Sequence, residues 1–478
     1  MLRTPGPSYS ILIRMEIPNR PGMLARVARA IGHAGGSIGA IDIAATRKDT
    51  LIRDIVINTA DIEAGRHIVE EIRHVRGVTV IHVADRTFMA HQGGKIEIRN
   101  KLPLTSRDDL SMLYTPGVAR ICTAIRGNPA RAHDLTIKKN TVAIVTDGSA
   151  VLGLGNIGPL AALPVMEGKA MLFKEFGAVD AFPISLDTQN VEEIVRTVKW
   201  IAPAFGGINL EDISAPRCFE IEERLKREIS IPVFHDDQHG TAVVILAGLI
   251  NALKITGKTF DNIRVVVSGL GAAGIACIRL LLSVGTAHIL GCDRSGILYR
   301  GRTANMNASK EEIANLTNPD RVKGSLARAL VGADVFIGLS SPGLVRGRDV
   351  KKMAREAIVF AMANPDPEIM PDEASKYARI VATGRSDYPN QINNVLCFPG
   401  LFRGILDCRA REINHDMLIA AAAAIASVVE EKELGEDYII PSVFNRKVPE
   451  RVAREIIRVA LERGVAKIDD NRLPFSGI

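Results

Sequence analysis

Aromatic residues are scarce in this chain: Phe, Trp and Tyr make up 4% of its 478 residues, with a single tryptophan. A nucleic-acid interface needs a dense basic stripe interleaved with stacking aromatics. Lys and Arg here alternate instead with Asp and Glu, so no nucleic-acid partner is expected. The six cysteines (Cys122, Cys218, Cys277, Cys292, Cys397 and Cys408) contain no CxxC pair and no regular framework. That pattern reads as reduced thiols rather than a disulfide scaffold. Long hydrophobic runs are also missing. The longest, Leu418 to Val429, has twelve residues and is rich in alanine, against the ~20 that a membrane span requires. The N-terminal stretch MLRTPGPSYSILIRME lacks the apolar core and small-residue cleavage site of a signal peptide. The expectation is a cytoplasmic chain without membrane association.

What is present is ordinary globular material, 47% hydrophobic and 24% charged. A prior of ~150 residues per domain gives about three domains. Alanine, valine, isoleucine and glycine dominate, as where helices pack closely on parallel sheets. The net charge of +6 and pI near 9.0 suit an anionic substrate or a phosphate-bearing cofactor. Period-two and helical spacings in the first part predict strands at Tyr9–Ile17, Ile38–Ala45, Leu51–Asn58 and Val78–Ala84, and helices at Met23–Ala34 and Ile62–His74. The order is βαββαβ. The polar, glycine-containing stretch His91–Lys101 reads as a hinge. Beyond it, strands and helices alternate to the end, which implies α/β architecture with parallel sheets.

The segment IPNRPGMLARVARAIGHAGGSIGAIDI resembles the start of an ACT domain, a small regulatory module, over about residues 9–85. The resemblance implies a small-molecule effector near the first loop, at Asn19, Pro21 and Gly22, and pairing of domains. Exposed N–H groups at a helix start attract carboxylates. A plain helix-entry turn explains the same Pro and Gly equally well.

NIRVVVSGLGAAGIACIRLLLSVGTAHILGCDRSG carries the clearest nucleotide signature. An apolar strand, Ile263–Ser268, leads into GLGAAG, comprising Gly269, Leu270, Gly271, Ala272, Ala273 and Gly274. A helix over Ile275–Val284 and a second strand ending at Asp293 follow. Glycines allow the tight turn and close backbone approach, and the helix N-terminus stabilises a pyrophosphate. Asp293 is placed for the adenine ribose hydroxyls and favours NAD, whereas the adjacent Arg294 leaves NADP possible. A second GxGxxG, at Gly153, Gly155 and Gly158, lacks an acid-tipped strand and reads as an active-site loop. GKT at 257–259 has alanine at 252 where a P-loop needs glycine.

Glu211 and Asp212 in GGINLEDISAP, with Asp237 in VFHDDQHGTA, offer hard oxygen ligands suited to Mg²⁺ or Mn²⁺. From spacing alone they read more readily as solvated acids. His235 and His239 do not make a zinc-protease motif, since Asp236 rather than glutamate follows the first histidine.

YTPGVA (114–119), TDGSAVLGLGNIGPLAALPVMEGKAMLFK (146–174), LEDI, HDDQHGTA, GLGAAG, FAMANPDPE (360–368) and NQINNVLCFPG (390–400) are similar, in order, to the malic enzymes over roughly residues 100–470. The resemblance implies oxidative decarboxylation of L-malate to pyruvate and CO₂ with NAD(P) and a divalent metal. By motif it assigns Tyr114 as general acid, Lys169 as general base, and Glu211, Asp212 and Asp237 as metal ligands. Asp236 becomes a supporting catalytic acid, and Asn364 and Asn394 contacts to malate or nicotinamide. Read from the residues alone, Tyr114 is a packed turn residue and Lys169 a solvated charge. Lys169 follows the apolar run LAALPVM, and burial can leave a lysine neutral near pH 7. Larger relatives carry arginine where this chain has Ala150, so part of the substrate carboxylate's recognition must come from elsewhere. The expected domains are ACT (9–86), catalytic (87–240) and NAD(P)-binding Rossmann (241–478), in a homodimer or larger homo-oligomer. The alternatives are an NADP-preferring malic enzyme, a malolactic enzyme, or an ACT-containing metabolite sensor without turnover.

Overall fold

A computed structural model describes residues 5–151 and 153–468. Residues 469–478, which close the span assigned to the third domain, lie outside them, as do the first four. The chain divides into two compact units, Met1–Ile98 and Arg99–Ile478.

The first unit has the expected βαββαβ order: β1 (Gly6–Pro18), a helix Met23–His33, β2 (Ser37–Thr46), β3 (Thr50–Thr59), a helix Ile62–Arg73 and β4 (Thr79–Asp85). Its antiparallel sheet runs β2-β3-β1-β4. Alternation along β1 and β3 turns Ile13, Met15, Ile17, Ile55 and Ile57 to one face, where Val27, Ile31, Ile68 and Ile72 of the two helices cover them. Asp61 starts the second helix by accepting the Ala64 N–H at 2.8 Å.

The second unit holds two sheets. β5 (Thr141–Thr146), β6 (Asp180–Ser185), β7 (Gly207–Leu210) and β8 (Val233–His235) form a parallel sheet ordered β6-β5-β7-β8. The other contains β9 (Arg264–Ser268), β10 (His288–Asp293), β11 (Gly296–Ile297), β12 (Val335–Gly338), β13 (Ile358–Ala361) and β14 (Ile380–Thr383). Its order is β11-β10-β9-β12-β13-β14, parallel except for the short β11. This is the doubly wound Rossmann arrangement that the glycine motif predicts, with its switch point beside β9.

Between these sheets runs the helix Thr241–Thr256, whose residues 242–249 are all buried. With the preceding turn it makes Asp236–Thr256, a stretch of 21 residues long and apolar enough to cross a membrane. Here it is the core helix, packed against the helices Ala272–Ser283 and His415–Ala426. The few aromatics are concentrated close by. Phe173 lies 4.7 Å from Phe398 and 5.3 Å from Phe402, ring centre to ring centre, and Phe234 closes on Phe402 at 5.8 Å. Five cysteines are buried and Cys122 is exposed, all of them unpaired. Burial pushes the thiols of Cys218, Cys277 and Cys292 up to about 12, which keeps them protonated and inert.

Because Phe173 is fully buried and touches two of these rings, Phe173→Ala should cost about 3–5 kcal/mol. Denaturant unfolding of the variant against the parent checks this.

Candidate active site

The parallel strands β5, β7 and β8 all end at the same edge, and each delivers polar residues just past its last hydrogen bond. β7 is followed by Glu211 and Asp212, and β8 by Asp236 and Asp237. Binding at the carboxyl ends of parallel strands is the general rule for open α/β sheets. Asp212 adopts a left-handed backbone (φ 54°), and its N–H donates to Asp237 Oδ2 at 2.8 Å. Ligand atoms of Glu211, Asp212 and Asp237 lie within 4.8 Å of one another.

Three carboxylates so close and so little hydrated repel one another. Burial, followed by the charge of Asp237, pushes Asp212 up to about 8. Burial likewise holds Glu211 well above the ordinary carboxylate range. Asp212 Oδ2 is buried with no hydrogen-bond partner. An orphaned carboxylate oxygen and an all-oxygen donor set fit a hard divalent cation such as Mg²⁺ or Mn²⁺, which would remove the repulsion.

Lys169 comes from the helix Gly158–Gly177 and is only 9% exposed. Its Nζ donates to Glu211 Oε1 at 3.0 Å and to Asp236 Oδ2, and lies 4.1 Å from the centre of the Phe398 ring. Burial pulls its pKa down, but Asp236 and Glu211 outweigh burial and hold the ammonium above its ordinary value. The neutral lysine expected from the apolar run is therefore not the state of this arrangement. Two carboxylates at contact distance override the desolvation that the sequence suggested. Asn394 Nδ2 donates to Asp236 Oδ2 at 3.1 Å, and Asn209 Nδ2 to Glu211 Oε2 at 2.8 Å, so both lysine partners are fixed in turn.

The loop carrying Gly153 and Gly155 runs beside the cluster. Ala150 N–H donates to the Asp212 carbonyl at 2.9 Å, and Gly153 faces the Asn364 carbonyl. One residue passed over in the sequence is Arg217. It pairs with buried Asp147 at 2.9 Å and donates to Ser149 Oγ at 2.9 Å and to the Gln189 carbonyl at 2.6 Å. These bonds hold the loop next to Ala150. Nothing in the spacing of GGINLEDISAPR marks this arginine.

At the nucleotide motif the structure explains two glycines. Gly269 has φ 102°, and a Cβ there would sit 2.3 Å from the Leu339 carbonyl oxygen; one on Gly274 would meet the Gly269 carbonyl at 1.8 Å. Gly271 precedes the helix Ala272–Ser283, with open space in front of it. Asp293 ends β10 as expected, but its carboxylate is already engaged. Arg302 grips both oxygens at 2.6 and 2.9 Å, Lys310 lies at 2.7 Å and Asn305 at 3.1 Å. These bonds outweigh burial and hold its pKa below the ordinary range. Arg294 is exposed beside it.

Two sets of expected participants are exposed to solvent. Tyr114 is 67% exposed and, among the described residues, its side chain has no hydrogen-bond, ion-pair or ring partner. In the first unit Asn19, Pro21 and Gly22 form an exposed turn into the helix at Met23. A cavity of about 400 Å³ in that unit opens elsewhere, between β1, β4 and the Ile62–Arg73 helix, lined by Tyr9, Ile11, Thr59, Arg66 and Asp85.

Comparison with known proteins agrees with this geometry. The chain matches the family model for the malic enzyme N-terminal domain over residues 93–226, that for the malic enzyme NAD binding domain over residues 238–461, and that for the ACT domain over residues 11–77. It is 60% identical over 472 residues to an NAD-dependent malic enzyme of Geobacillus stearothermophilus, a match covering 99% of this chain and 98% of that protein. It is 57% identical over 376 residues to a bifunctional malic/malolactic enzyme of Bacillus subtilis (strain 168), covering 78% and 92%. Among solved structures, the malic enzyme from Pyrococcus horikoshii superposes with a TM-score of 0.77 at 49% identity, covering 80% of this chain and 92% of that one. The NAD-dependent malic enzyme from Thermotoga maritima gives 0.76 at 48% identity, covering 79% and 99%.

With Asp212 raised to about 8, the metal-free site holds protons near neutral pH that a cation must displace. Mn²⁺ binding should therefore release protons, read by titration calorimetry in buffers of different ionisation enthalpy. The sign for stability follows. A carboxyl raised on folding stabilises below its unfolded pKa and loses that contribution as pH rises. The metal-free protein should lose thermal stability as pH climbs towards 8, and saturating Mn²⁺ should flatten that slope.

Proposed function

The chain belongs to the malic enzyme family and carries an ACT domain at its N-terminus, and on that premise we propose that it oxidises L-malate with NAD and decarboxylates it to pyruvate and CO₂. The observation that carries this reading is the convergence of buried Lys169 with the acids Glu211, Asp212, Asp236 and Asp237. Glu211, Asp212 and Asp237 would hold Mg²⁺ or Mn²⁺, which when bound supplies Lewis-acid polarisation of the substrate's hydroxyl and carboxylate.

The chain's own groups then do the proton work. With Glu211 committed to a cation, Lys169 would first release its own proton to solvent and then, as the free amine, accept the hydroxyl proton of malate at Nζ as the hydride leaves for nicotinamide. Asp236, held by Asn394, keeps Lys169 aimed at the substrate and compensates its charge. Commitment of Glu211 to a cation removes one of the two carboxylates that hold the lysine protonated. Tyr114 returns a proton to the carbon from which CO₂ departs. The aromatic cluster behind Lys169 excludes water from one side of the pocket.

Gly269, Leu270, Gly271, Ala272, Ala273 and Gly274 hold the pyrophosphate, and Asn364 the nicotinamide end. The reading of the adenine end changes with the geometry around Asp293. An acid gripped by Arg302 and Lys310 repels a ribose 2′-phosphate weakly, and exposed Arg294 attracts one. NAD is the proposed cofactor, consistent with the name of the Geobacillus relative, with measurable turnover on NADP. The name of the Bacillus relative supports a second outcome at the same site, lactate formed without net NADH. A small-molecule effector acting through the Asn19, Pro21 and Gly22 turn of the ACT domain remains part of the proposal.

The test is NADH formation from L-malate with Mn²⁺, together with assays for pyruvate and lactate. Lys169→Ala should lower kcat by about 10²–10⁴-fold while NAD still binds. Normal turnover by that variant would sink the assignment. Arg294→Ala should raise KM for NADP and leave KM for NAD unchanged; equal effects on both would show that the adenine end does not sense the phosphate.

A further inference from the structure

We propose that Glu222 is a positioning residue for the acid cluster, a buried anion that holds Gln238 and His239 and thereby sets where the preceding Asp236 and Asp237 stand. The inference rests on the reading given above of Asp237 as a cation ligand and of Asp236 as the partner of Lys169.

Asp236–Gly240 is a single wide turn of π-helix between β8 and the core helix. Such turns are rare and are found mostly at functional sites. This one has to present two neighbouring carboxylates in different directions. Asp236 faces Lys169 and Asn394, while Asp237 accepts the Asp212 N–H at 2.8 Å. The Asp236 carboxylate folds back over the turn, so close to Gly240 that a Cβ there would collide with it. That side of the turn is filled by its own first residue, and the grip on residues 238 and 239 comes from elsewhere.

It comes from the helix Arg217–Glu228. Glu222 on that helix is only 5% exposed. Its Oε2 accepts from Gln238 Nε2 at 3.1 Å, and its Oε1 accepts from His239 Nε2 at 2.8 Å. Lys226, one turn later on the same helix, lies 2.7 Å from Oε1. Burial alone would raise the pKa of Glu222, but His239 and Lys226 outweigh it and keep the carboxylate ionised. Gln238 is buried too, and the His239 ring packs 5.7 Å from that of Phe234 on β8, centre to centre.

A buried charge is a poor device for stability, since a well-packed apolar residue in such a position often does as well or better. What a charge supplies is direction. One carboxylate with two oxygens takes a bond from each of two successive side chains and so fastens the turn at two points. The residues it grips directly follow Asp237, where a small displacement alters how the three acids meet a cation. Changes to groups that orient metal ligands cost about 10–100-fold in metal affinity. Glu222 also lines a cavity of about 410 Å³ between the helices Arg217–Glu228, Ala272–Ser283 and Ala308–Leu316. A small carboxylate can therefore enter where the Glu222 side chain is removed.

Mn²⁺ affinity, read by calorimetry without malate, decides the question. Glu222→Gln keeps the size of the side chain and removes its charge, and should weaken Mn²⁺ binding about 10–100-fold. NAD affinity should stay at the parent value, because among the described residues the partners of Glu222 lie on its own helix and on the turn. Glu222→Ala should show the same loss of Mn²⁺ affinity, with added formate restoring part of it. Glu223→Gln, on the exposed side of the same helix, should bind Mn²⁺ as the parent does. Parent-like Mn²⁺ affinity in Glu222→Gln would overturn the proposal, and so would an equal loss in Glu223→Gln. A parallel fall in NAD affinity and thermal stability that formate does not mend would mark a merely structural role and overturn it too. Absence of Mn²⁺ binding in the parent protein would remove the metal reading of the three acids, and this proposal with it.

Discussion

The organising constraint in this molecule is the crowding of four carboxylates around one lysine. Glu211, Asp212, Asp236 and Asp237 would repel one another severely in a poorly hydrated pocket. Lys169 satisfies only two of them, Glu211 and Asp236. The unsatisfied remainder, Asp212 Oδ2 above all, is what makes the cluster suited to a hard cation. The same crowding explains much of the surrounding architecture. The parallel strands must end together to bring the acids together. The Phe173, Phe398 and Phe402 cluster must be firm, because a mobile wall would let water screen the charges and weaken every interaction inside.

The nucleotide half follows a different logic, in which space and backbone rather than charge do the selecting. Gly269 and Gly274 are glycine because carbonyl oxygens occupy the places where their Cβ atoms would go. Charge enters only at the adenine end. There Asp293 sits in a ring of cationic and amide donors that offset its charge. An acid at a strand end is therefore an incomplete guide to cofactor choice. What matters is how much of its charge its neighbours have already spoken for.

Much of this was legible in the residue pattern. The βαββαβ unit could be read because its two periodicities are clean: β1 alternates strictly at Ile13, Met15 and Ile17, and the Met23–His33 helix buries Met23, Val27 and Ile31 at four-residue steps. The glycine motif was readable because steric demands leave no substitute. Three features were not. The apolar run before Lys169 pointed correctly to its burial, but its charge state depends on two acids distant in sequence, at 211 and 236. Arg217 acts through Asp147 and Ser149, contacts that exist only once β5 and the loop after β7 are brought side by side. The exposure of Tyr114 is a property of the tertiary path, since YTPGVA reads the same whether its tyrosine is packed or in solvent.

The last link is the one that joins the two sheets. Asn394 belongs to the nucleotide half, in the loop after β14, yet its amide donates to Asp236 at 3.1 Å and exchanges hydrogen bonds with Thr241, where the core helix begins. Asp236 in turn holds Lys169. A shift of the nucleotide half that moved Asn394 by even an ångström would loosen Asp236 and change how strongly it retains the lysine's proton. The hydrogen-bonded chain from Asn394 through Asp236 to Lys169 therefore ties the loop after β14 to the acid cluster at the ends of β7 and β8. The buried helix Thr241–Thr256 starts beside the acid cluster and packs against the helices Ala272–Ser283 and His415–Ala426, so the two sheets share one continuous core.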